Sequence, residues 1–562
     1  MSDAAATADD RVLMAAPVWA AQSVSAASTS SDAHAVLLYG WPQAIVAALR
    51  AGWPQMQWID LGVGGDRGDA AVAYAQLARG CLQAVQSLLQ RKPMPRTRVQ
   101  LAVADGGDAA TATGLGGLFS SVGLENPDLI GQVLLLPADS DAAALEAILC
   151  REREAAPEPL LRHAGGQRWV RRWEVLDPAS AHAADSLFKH DGTYLISGGL
   201  GGLGRLFARE ILSQCPAARI VLCGRSRPDA AGESALAQWR ESGARVDYLQ
   251  ADIADEAACE RLIAQIQADG GRLRGIVHAA GVLRDDFALK LSAQRLDETL
   301  APKVAGAVAL DRASRAVDLD FFCLCSSIAA WAGNLGQSGY AAANGFLDAY
   351  AQRRAELAAA GERRGRSLSI GWPHWRDGGM GTDAASMAAL RQRTGLGSLA
   401  TAQAMRAFAQ LLAAGPAQAL VLSGDEAALR AALRTAAPTV ATPSRAEPAP
   451  QQAAAIDDAE LERRTREFLR AEFAAVLKLP AERIEARAPL EKYGIDSILA
   501  MSLTARLEAS FGTLAKTLFF EYLSLDELSG YFLRAHAATL QAMFAPAAAA
   551  PAAPAAVAAA AT

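Results

Sequence analysis

Thr193-Tyr-Leu-Ile-Ser-Gly-Gly-Leu-Gly-Gly-Leu-Gly204 decides the fold of this 562-residue chain. Thr193 to Ile196 is a short apolar run with the make-up of a buried strand. It feeds a turn in which Gly198, Gly199, Gly201, Gly202 and Gly204 alternate with Leu200 and Leu203. Arg205-Leu-Phe-Ala-Arg-Glu-Ile-Leu212 then carries helical periodicity. Without Cβ atoms, Gly199, Gly201 and Gly204 let backbone amides approach a pyrophosphate at the helix N-terminus, where the macrodipole favours anions. A GxGxxG spacing means little alone; between a strand and a helix it predicts a dinucleotide site.

The next segments extend that reading. A second strand, Arg219-Ile-Val-Leu-Cys223, ends in Gly224-Arg-Ser-Arg227, where many NAD sites carry an acid. A guanidinium suits a 2′-phosphate, so NADPH is expected rather than NADH, with Arg225 the better candidate and Arg227 a surface residue. Asp252 follows Val246-Asp-Tyr-Leu-Gln-Ala251, at the expected end of a third strand near the adenine. A fourth strand, Gly275-Ile-Val-His278, runs into Ala279, Ala280 and Gly281, small residues that let backbone approach the ribose and nicotinamide.

Chemistry enters with Cys325-Ser-Ser-Ile-Ala-Ala-Trp-Ala-Gly-Asn-Leu-Gly-Gln-Ser-Gly-Tyr-Ala-Ala-Ala-Asn344 and with Lys303 in Ala301-Pro-Lys-Val304. A phenol can protonate a ketone and a hydroxyl can polarise it. Tyrosine, with an ordinary pKa near 10, needs a nearby cation to do so at neutral pH. The set resembles the ketoreductase domains of modular polyketide synthases, a short-chain dehydrogenase branch in which lysine and asparagine exchange places. In that family lysine, serine, tyrosine and asparagine are spaced 24, 13 and 4 apart, and Lys303, Ser327, Tyr340 and Asn344 keep each interval. Ser326 is the rival hydroxyl, but the interval selects Ser327. The resemblance implies that Tyr340 donates the proton, Ser327 holds the carbonyl oxygen, Lys303 lowers the phenol's pKa and Asn344 supports a water or lysine contact. It extends to His278-Ala-Ala-Gly281, Ala341-Ala-Ala-Asn-Gly-Phe-Leu-Asp348 and Leu368-Ser-Ile-Gly-Trp-Pro-His-Trp375.

Upstream, Ala35–Tyr39, Met56–Leu61, Val99–Val103 and Val133–Leu136 read as buried parallel strands, separated by helical stretches such as Ala70–Leu89; Leu160–Val170 reads as a hairpin. Gly114-Leu-Gly-Gly117 follows no strand, which points to a helix packed closely on a neighbour rather than a second nucleotide site. The resemblance makes this region a truncated, catalytically empty Rossmann-like subdomain, with Leu124-Glu-Asn-Pro127 and Arg168–Trp173 in its closing half. It also places a substrate lid at Trp375-Arg-Asp-Gly-Gly-Met380 and the helix after it, in the form seen where the acyltransferase acts in trans. For stereocontrol it directs attention to Leu283-Arg-Asp285, which keeps the final Asp285 of the Leu-Asp-Asp associated with D-alcohols. The tryptophan of the opposite class is expected eight residues before Tyr340, where Ala332 stands with Trp331 beside it. The D-alcohol is therefore favoured, with Asp285 and Met380 as stereocontrol and lid residues.

From about residue 457 the pattern turns helical. Ala459–Phe473 is amphipathic, and Gly494-Ile-Asp-Ser-Ile498 opens a second helix. Serine at a helix start is commonly only a cap. Here the surroundings through Phe511-Gly-Thr-Leu-Ala-Lys-Thr-Leu-Phe-Phe-Glu-Tyr522 resemble a polyketide acyl carrier protein, in which Ser497 would carry 4′-phosphopantetheine.

Composition sets outer limits. About half the residues are apolar (51%), enough for several cores, and a net charge of −6 gives no footprint for nucleic acid or an anionic membrane. Seven cysteines without a CxxC pair and seven dispersed histidines give no metal cluster. With no signal-peptide pattern at the N-terminus and no apolar run of spanning length, a cytoplasmic protein is expected. The expected plan is α/β: a Rossmann-like structural subdomain at 11–185, a catalytic Rossmann subdomain at 186–436 and a Pro/Ala linker at 437–456. An all-α four-helix carrier follows at 457–540, with a disordered Ala/Pro tail at 541–562. The expected reaction is NADPH-dependent reduction of a carrier-bound β-ketoacyl thioester, against a silent scaffold or a reductase of diffusible ketones as rivals. Expected partners are a ketosynthase, a trans-acting acyltransferase and a phosphopantetheinyl transferase, the chain being a fragment or a split module.

Overall fold

The computed structural model describes residues 11–24, 33–62, 69–92, 94–177, 187–378, 387–388, 391–392, 394–434, 456–495 and 497–544, in two compact units that divide at Val440 and Ala441. The first unit is built on one sheet of 14 strands. In chain order these are β1 (Arg11–Ala21), β2 (Ala33–Tyr39), β3 (Gln57–Asp60), β4 (Thr97–Asp105), β5 (Leu129–Pro137), β6 (Leu160–Ala164) and β7 (Gln167–Val175). Then follow β8 (Gly192–Ser197), β9 (Arg219–Gly224), β10 (Arg245–Gln250), β11 (Arg272–His278), β12 (Phe321–Ser327), β13 (Arg366–Trp372) and β14 (Gln418–Gly424). Their spatial order is β10-β9-β8-β11-β12-β13-β14-β1-β7-β6-β5-β4-β2-β3.

Two parallel runs, β10 to β14 and β6 to β3, meet through antiparallel pairs of β14 with β1, β1 with β7 and β7 with β6. Strands such as Tyr194–Ile196 and Ile220–Cys223 are buried, as expected where helices cover both faces of a parallel sheet. The expected pair of Rossmann-like halves is therefore present, but as a single sheet. Its seam is β1, with Arg11–Ala15 paired to Leu420–Gly424 and Ala15–Ala21 paired to Trp169–Val175. The expected boundary near residues 185 and 186 falls largely within 178–186, outside the described residues, as does the linker through residue 455.

The first half packs closely on the helix Ser338–Ala359, which holds Tyr340 and Asn344. A Cβ on Gly114 would stand 2.5 Å from the Gly345 carbonyl carbon, and one on Gly117 2.9 Å from the Ala341 oxygen. The Tyr74 hydroxyl donates to the Ala342 carbonyl at 2.7 Å. Gly114 and Gly117 are thus small because backbone meets backbone there, as their sequence context implies.

The second unit holds the helices Asp458–Leu477, Ser497–Phe511, Leu518–Glu521 and Leu525–Ala535 around Leu469, Phe473, Leu503, Leu507, Phe519 and Phe532. Asp457 caps the first, accepting from the Glu460 amide at 2.8 Å. A further helix, Ala537–Phe544, corrects the expected end of the carrier at 540: Leu540 is fully buried in this core, so the chain stays folded past the predicted start of the tail. Residues 545–562 lie outside the described residues.

Candidate active site

The predicted glycine turn links β8 to the helix Gly202–Gln214, with Gly201 as its N-cap. Gly198 has φ +65°, a conformation that disfavours side chains, and a Cβ on Gly204 would stand 2.5 Å from the Gly198 oxygen. Gly199 is wedged against Leu222 of β9, 2.6 Å from a hypothetical Cβ. Beside this turn lies a cleft of about 480 Å³ lined by Gly198, Gly199, Leu200, Gly201, Arg225, Asp252, Ala280 and Gly281, among others. Gly202, Leu203 and Gly204 shape the turn without lining the cleft; Ala279 donates its amide to the Ser197 carbonyl at 3.1 Å. Arg225 and Arg227 both line the cleft, and both are exposed. Arg205 lines it as well, its Nε donating to the Leu200 carbonyl at 2.7 Å. A bare glycine floor at a helix N-terminus with three guanidinium groups around it fits a phosphorylated dinucleotide.

Gly281 joins this cleft to the predicted tetrad. A Cβ there would come 2.9 Å from Lys303 Cε, so the lysine stem lies against the cleft wall. Lys303 projects from the helix Ala293–Ala313, is buried, and donates from Nζ to the Cys325 carbonyl at 2.9 Å. Its Nζ lies 5.9 Å from the centre of the Tyr340 ring. Ser327 ends β12 and accepts from the Ala329 amide at 3.2 Å, while its hydroxyl also bonds with Tyr340. Asn344 is fully buried; its Nδ2 donates to the Tyr340 carbonyl at 2.8 Å and its Oδ1 has no protein partner. Ser326, the rival hydroxyl, instead donates to the Asn344 carbonyl at 3.1 Å and is buried. All four predicted residues therefore meet in one place.

The electrostatics correct one expectation. Burial pushes the Tyr340 phenol above its ordinary value of 10.0, and hydrogen bonds with Ser327 and Asn344 oppose it without reversing it. The Lys303 ammonium stands over the ring and bonds the Cys325 carbonyl, and its presence does not outweigh that burial. Burial also lowers Lys303 itself, from 10.5 to about 8, against support from Cys325 and Asp348. Asp348 is raised from 3.8 to about 6 by burial, opposed first by its bond from the Ser369 hydroxyl at 2.6 Å.

Asp285 lies in the exposed loop after β11, accepts from Gln337 Nε2 at 2.8 Å, and acts electrostatically on Tyr340. Trp331 packs edge-on against Trp173, ring centres 6.4 Å apart. Met380 lies outside the described residues, as does Asp496. Ser497 opens the helix Ser497–Phe511 of the second unit, at the predicted position. A feature sequence reasoning missed is Glu125, which is fully buried and reaches two loops beside Tyr340. Among the described residues no helix is long and apolar enough to cross a membrane.

Comparison with known proteins adds independent findings. Residues 192–377 match the family model described as KR domain, and residues 467–532 match that of the phosphopantetheine attachment site. Polyketide synthase PksL of Bacillus subtilis (strain 168) is 37% identical over 458 residues, covering 80% of this chain and 10% of that protein. Polyketide synthase ThaG of Burkholderia thailandensis is 38% identical over 439 residues, covering 77% of this chain and 8% of that one. The chain thus spans about a tenth of the length of the curated relatives it matches. Among solved structures, a ketoreductase domain from the bacillaene assembly line aligns with a TM-score of 0.70 at 30% identity, covering 75% of this chain and 100% of that one. The ketoreductase from the first module of phoslactomycin biosynthesis in Streptomyces sp. HK803 aligns with a TM-score of 0.57 at 29% identity, over 76% of this chain and 97% of that one.

Proposed function

This chain belongs to the ketoreductases of polyketide synthases and carries a phosphopantetheine attachment domain after the reductase, and on that premise we propose that it reduces a β-ketoacyl thioester, tethered to Ser497, to the 3-hydroxyacyl thioester. The observation that carries the reading is the convergence of Lys303, Ser327, Tyr340 and Asn344 beside a glycine-floored cleft, with Gly281 against the Lys303 stem. NADPH, when bound, supplies the hydride.

The chain's own residues do the rest. Gly198, Gly199, Leu200 and Gly201, which line the cleft, would hold the pyrophosphate, and Arg225 is the residue proposed for the 2′-phosphate. Ser327 and Tyr340 hydrogen-bond the β-carbonyl oxygen, where negative charge develops, and the Tyr340 hydroxyl gives it a proton. A phenol held above its ordinary pKa arrives protonated, which is the state an acid needs before the step. The Lys303 ammonium, close to the ring, stabilises the phenolate left behind. Asn344, whose Oδ1 has no protein partner, has the proposed role of supporting a water or lysine contact as the proton is restored.

Tethering raises the local concentration of substrate, so tight binding of the acyl chain is not required. The retained Asp285 supports a D-alcohol product. A ketosynthase, a trans-acting acyltransferase and a phosphopantetheinyl transferase are the proposed partners, and the cytoplasm the proposed compartment.

The test is intact-mass analysis after a phosphopantetheinyl transferase has modified Ser497 and a β-ketoacyl chain has been loaded. Adding NADPH should raise the mass of the tethered chain by two hydrogens. A loaded chain that stays unchanged while NADPH persists would mean that the fold only positions the carrier.

A further inference from the structure

Glu125 ends the helix Gly116–Glu125, in the half of the sheet that holds no tetrad residue, and its side chain is fully buried. Its Oε2 accepts from the Ala288 amide at 2.8 Å and its Oε1 from the Gly336 amide at 3.1 Å. Those amides belong to the two loops that frame Tyr340: the one after β11, which carries Asp285, and residues 333–337, which lead into the helix Ser338–Ala359. The loops also bond each other, Asp286 amide to Gly336 carbonyl at 2.8 Å and Gln337 Nε2 to Asp285 Oδ2 at 2.8 Å.

The same helix adds a second hold, since Ser121 Oγ accepts from the Asn334 amide at 3.1 Å. Gly333, at φ +71°, leaves so little room that a Cβ would stand 2.6 Å from the Ser121 nitrogen. From the helix Ala70–Leu89, Gln86 Nε2 donates to the Ala288 and Leu291 carbonyls at 2.8 and 2.9 Å. A buried carboxyl is costly, and burial raises this one from 4.5 to about 8 against the two amides. Space-filling alone calls for an apolar side chain there. Two acceptors facing two amides on separate loops are something that only a carboxyl group provides in one side chain of this length.

Resting on the proposed reduction, we propose that Glu125 is a positioning residue that clasps the two loops framing Tyr340 and thereby fixes the face of the ketone that is reduced. It acts through Asp285, Gln337 and the start of the Tyr340 helix without touching the reacting atoms. The empty-looking half of the sheet then has a part in the stereochemical outcome.

The experiment compares the full-length wild-type protein with Glu125→Gln, which keeps the shape but turns an amide NH₂ toward one of the backbone N–H groups. Turnover and product chirality are read with a diffusible β-ketothioester, NADPH affinity by fluorescence, and loop protection by hydrogen exchange of peptides covering 282–291 and 333–337. The clasp predicts a fall in kcat of roughly tenfold or more and a changed enantiomer ratio. It also predicts NADPH affinity within about twofold and faster exchange in both segments together. Unchanged chirality and exchange would overturn it, as would a loss of turnover matched by an equal loss of NADPH affinity, which marks general unfolding. If the wild-type protein itself fails to reduce the thioester, the proposed reaction is at fault, and the exchange measurement alone decides the clasp.

Discussion

Lys303 meets Tyr340 face-on: its Nζ lies 5.9 Å from the centre of the phenol ring while its hydrogen bond goes to the Cys325 carbonyl at 2.9 Å. The cation is fixed by backbone rather than by the tyrosine hydroxyl, so its charge stays in place whatever the state of that hydroxyl. Lys303→Met keeps the stem that packs on Gly281 and removes the charge. Steady-state kinetics should show turnover lower by roughly a hundredfold, with NADPH affinity little changed. Equal turnover would exclude the lysine from the reaction.

The pH profile follows from the same pair. With Lys303 lowered to about 8 and Tyr340 raised, the ammonium is the first of the two to lose its proton as pH rises. Turnover should fall through pH 8, and that limb should be absent in Lys303→Met. Stability runs the other way for this group. Its folded pKa lies below the unfolded value of 10.5, so between about 8 and 10.5 the unfolded chain binds the extra proton. The Lys303 contribution to stability therefore rises with pH over that window, and Lys303→Met should lose this rise in denaturant titrations.

Nucleotide choice should divide between two arginines that both line the cleft. Arg225→Ala is expected to weaken NADPH by roughly tenfold while leaving NADH little affected, consistent with loss of a charge-assisted bond to a 2′-phosphate. Arg227→Ala should do less. Binding isotherms for both nucleotides check this, and the reverse ranking would move the phosphate contact to Arg227.

Close backbone packing makes the non-catalytic half sensitive to single methyl groups. Gly114→Ala places a Cβ 2.5 Å from the Gly345 carbonyl carbon, where neither partner is a flexible side chain. Urea titration should show a loss of roughly 1–3 kcal/mol or more. A neutral substitution would mean the two halves are less tightly joined than this contact implies.

Much of the site was legible because its signals are local or regularly spaced. The glycine turn lies between a strand and a helix only residues away, and the intervals from Lys303 to Asn344 hold a register that β12 and the helix Ser338–Ala359 fix in space. β1 was hidden for the opposite reason. Its partners are Leu420–Gly424 and Trp169–Val175, and no local pattern reveals pairing across such separations. Glu125 was missed because it serves backbone amides at Ala288 and Gly336, which leave no trace in side-chain identity. The Tyr340 phenol stands above its ordinary pKa because it is buried, and spacing brings a lysine near without saying how deeply that phenol lies.

Reduction by Tyr340→Phe, followed as NADPH consumption on a β-ketoacyl chain carried by Ser497, tests the central claim most directly. Removing one hydroxyl while keeping the ring should lower turnover by about a hundredfold to ten-thousandfold and leave NADPH affinity within a few-fold. Turnover equal to wild type would show that the proton comes from elsewhere and would contradict the account.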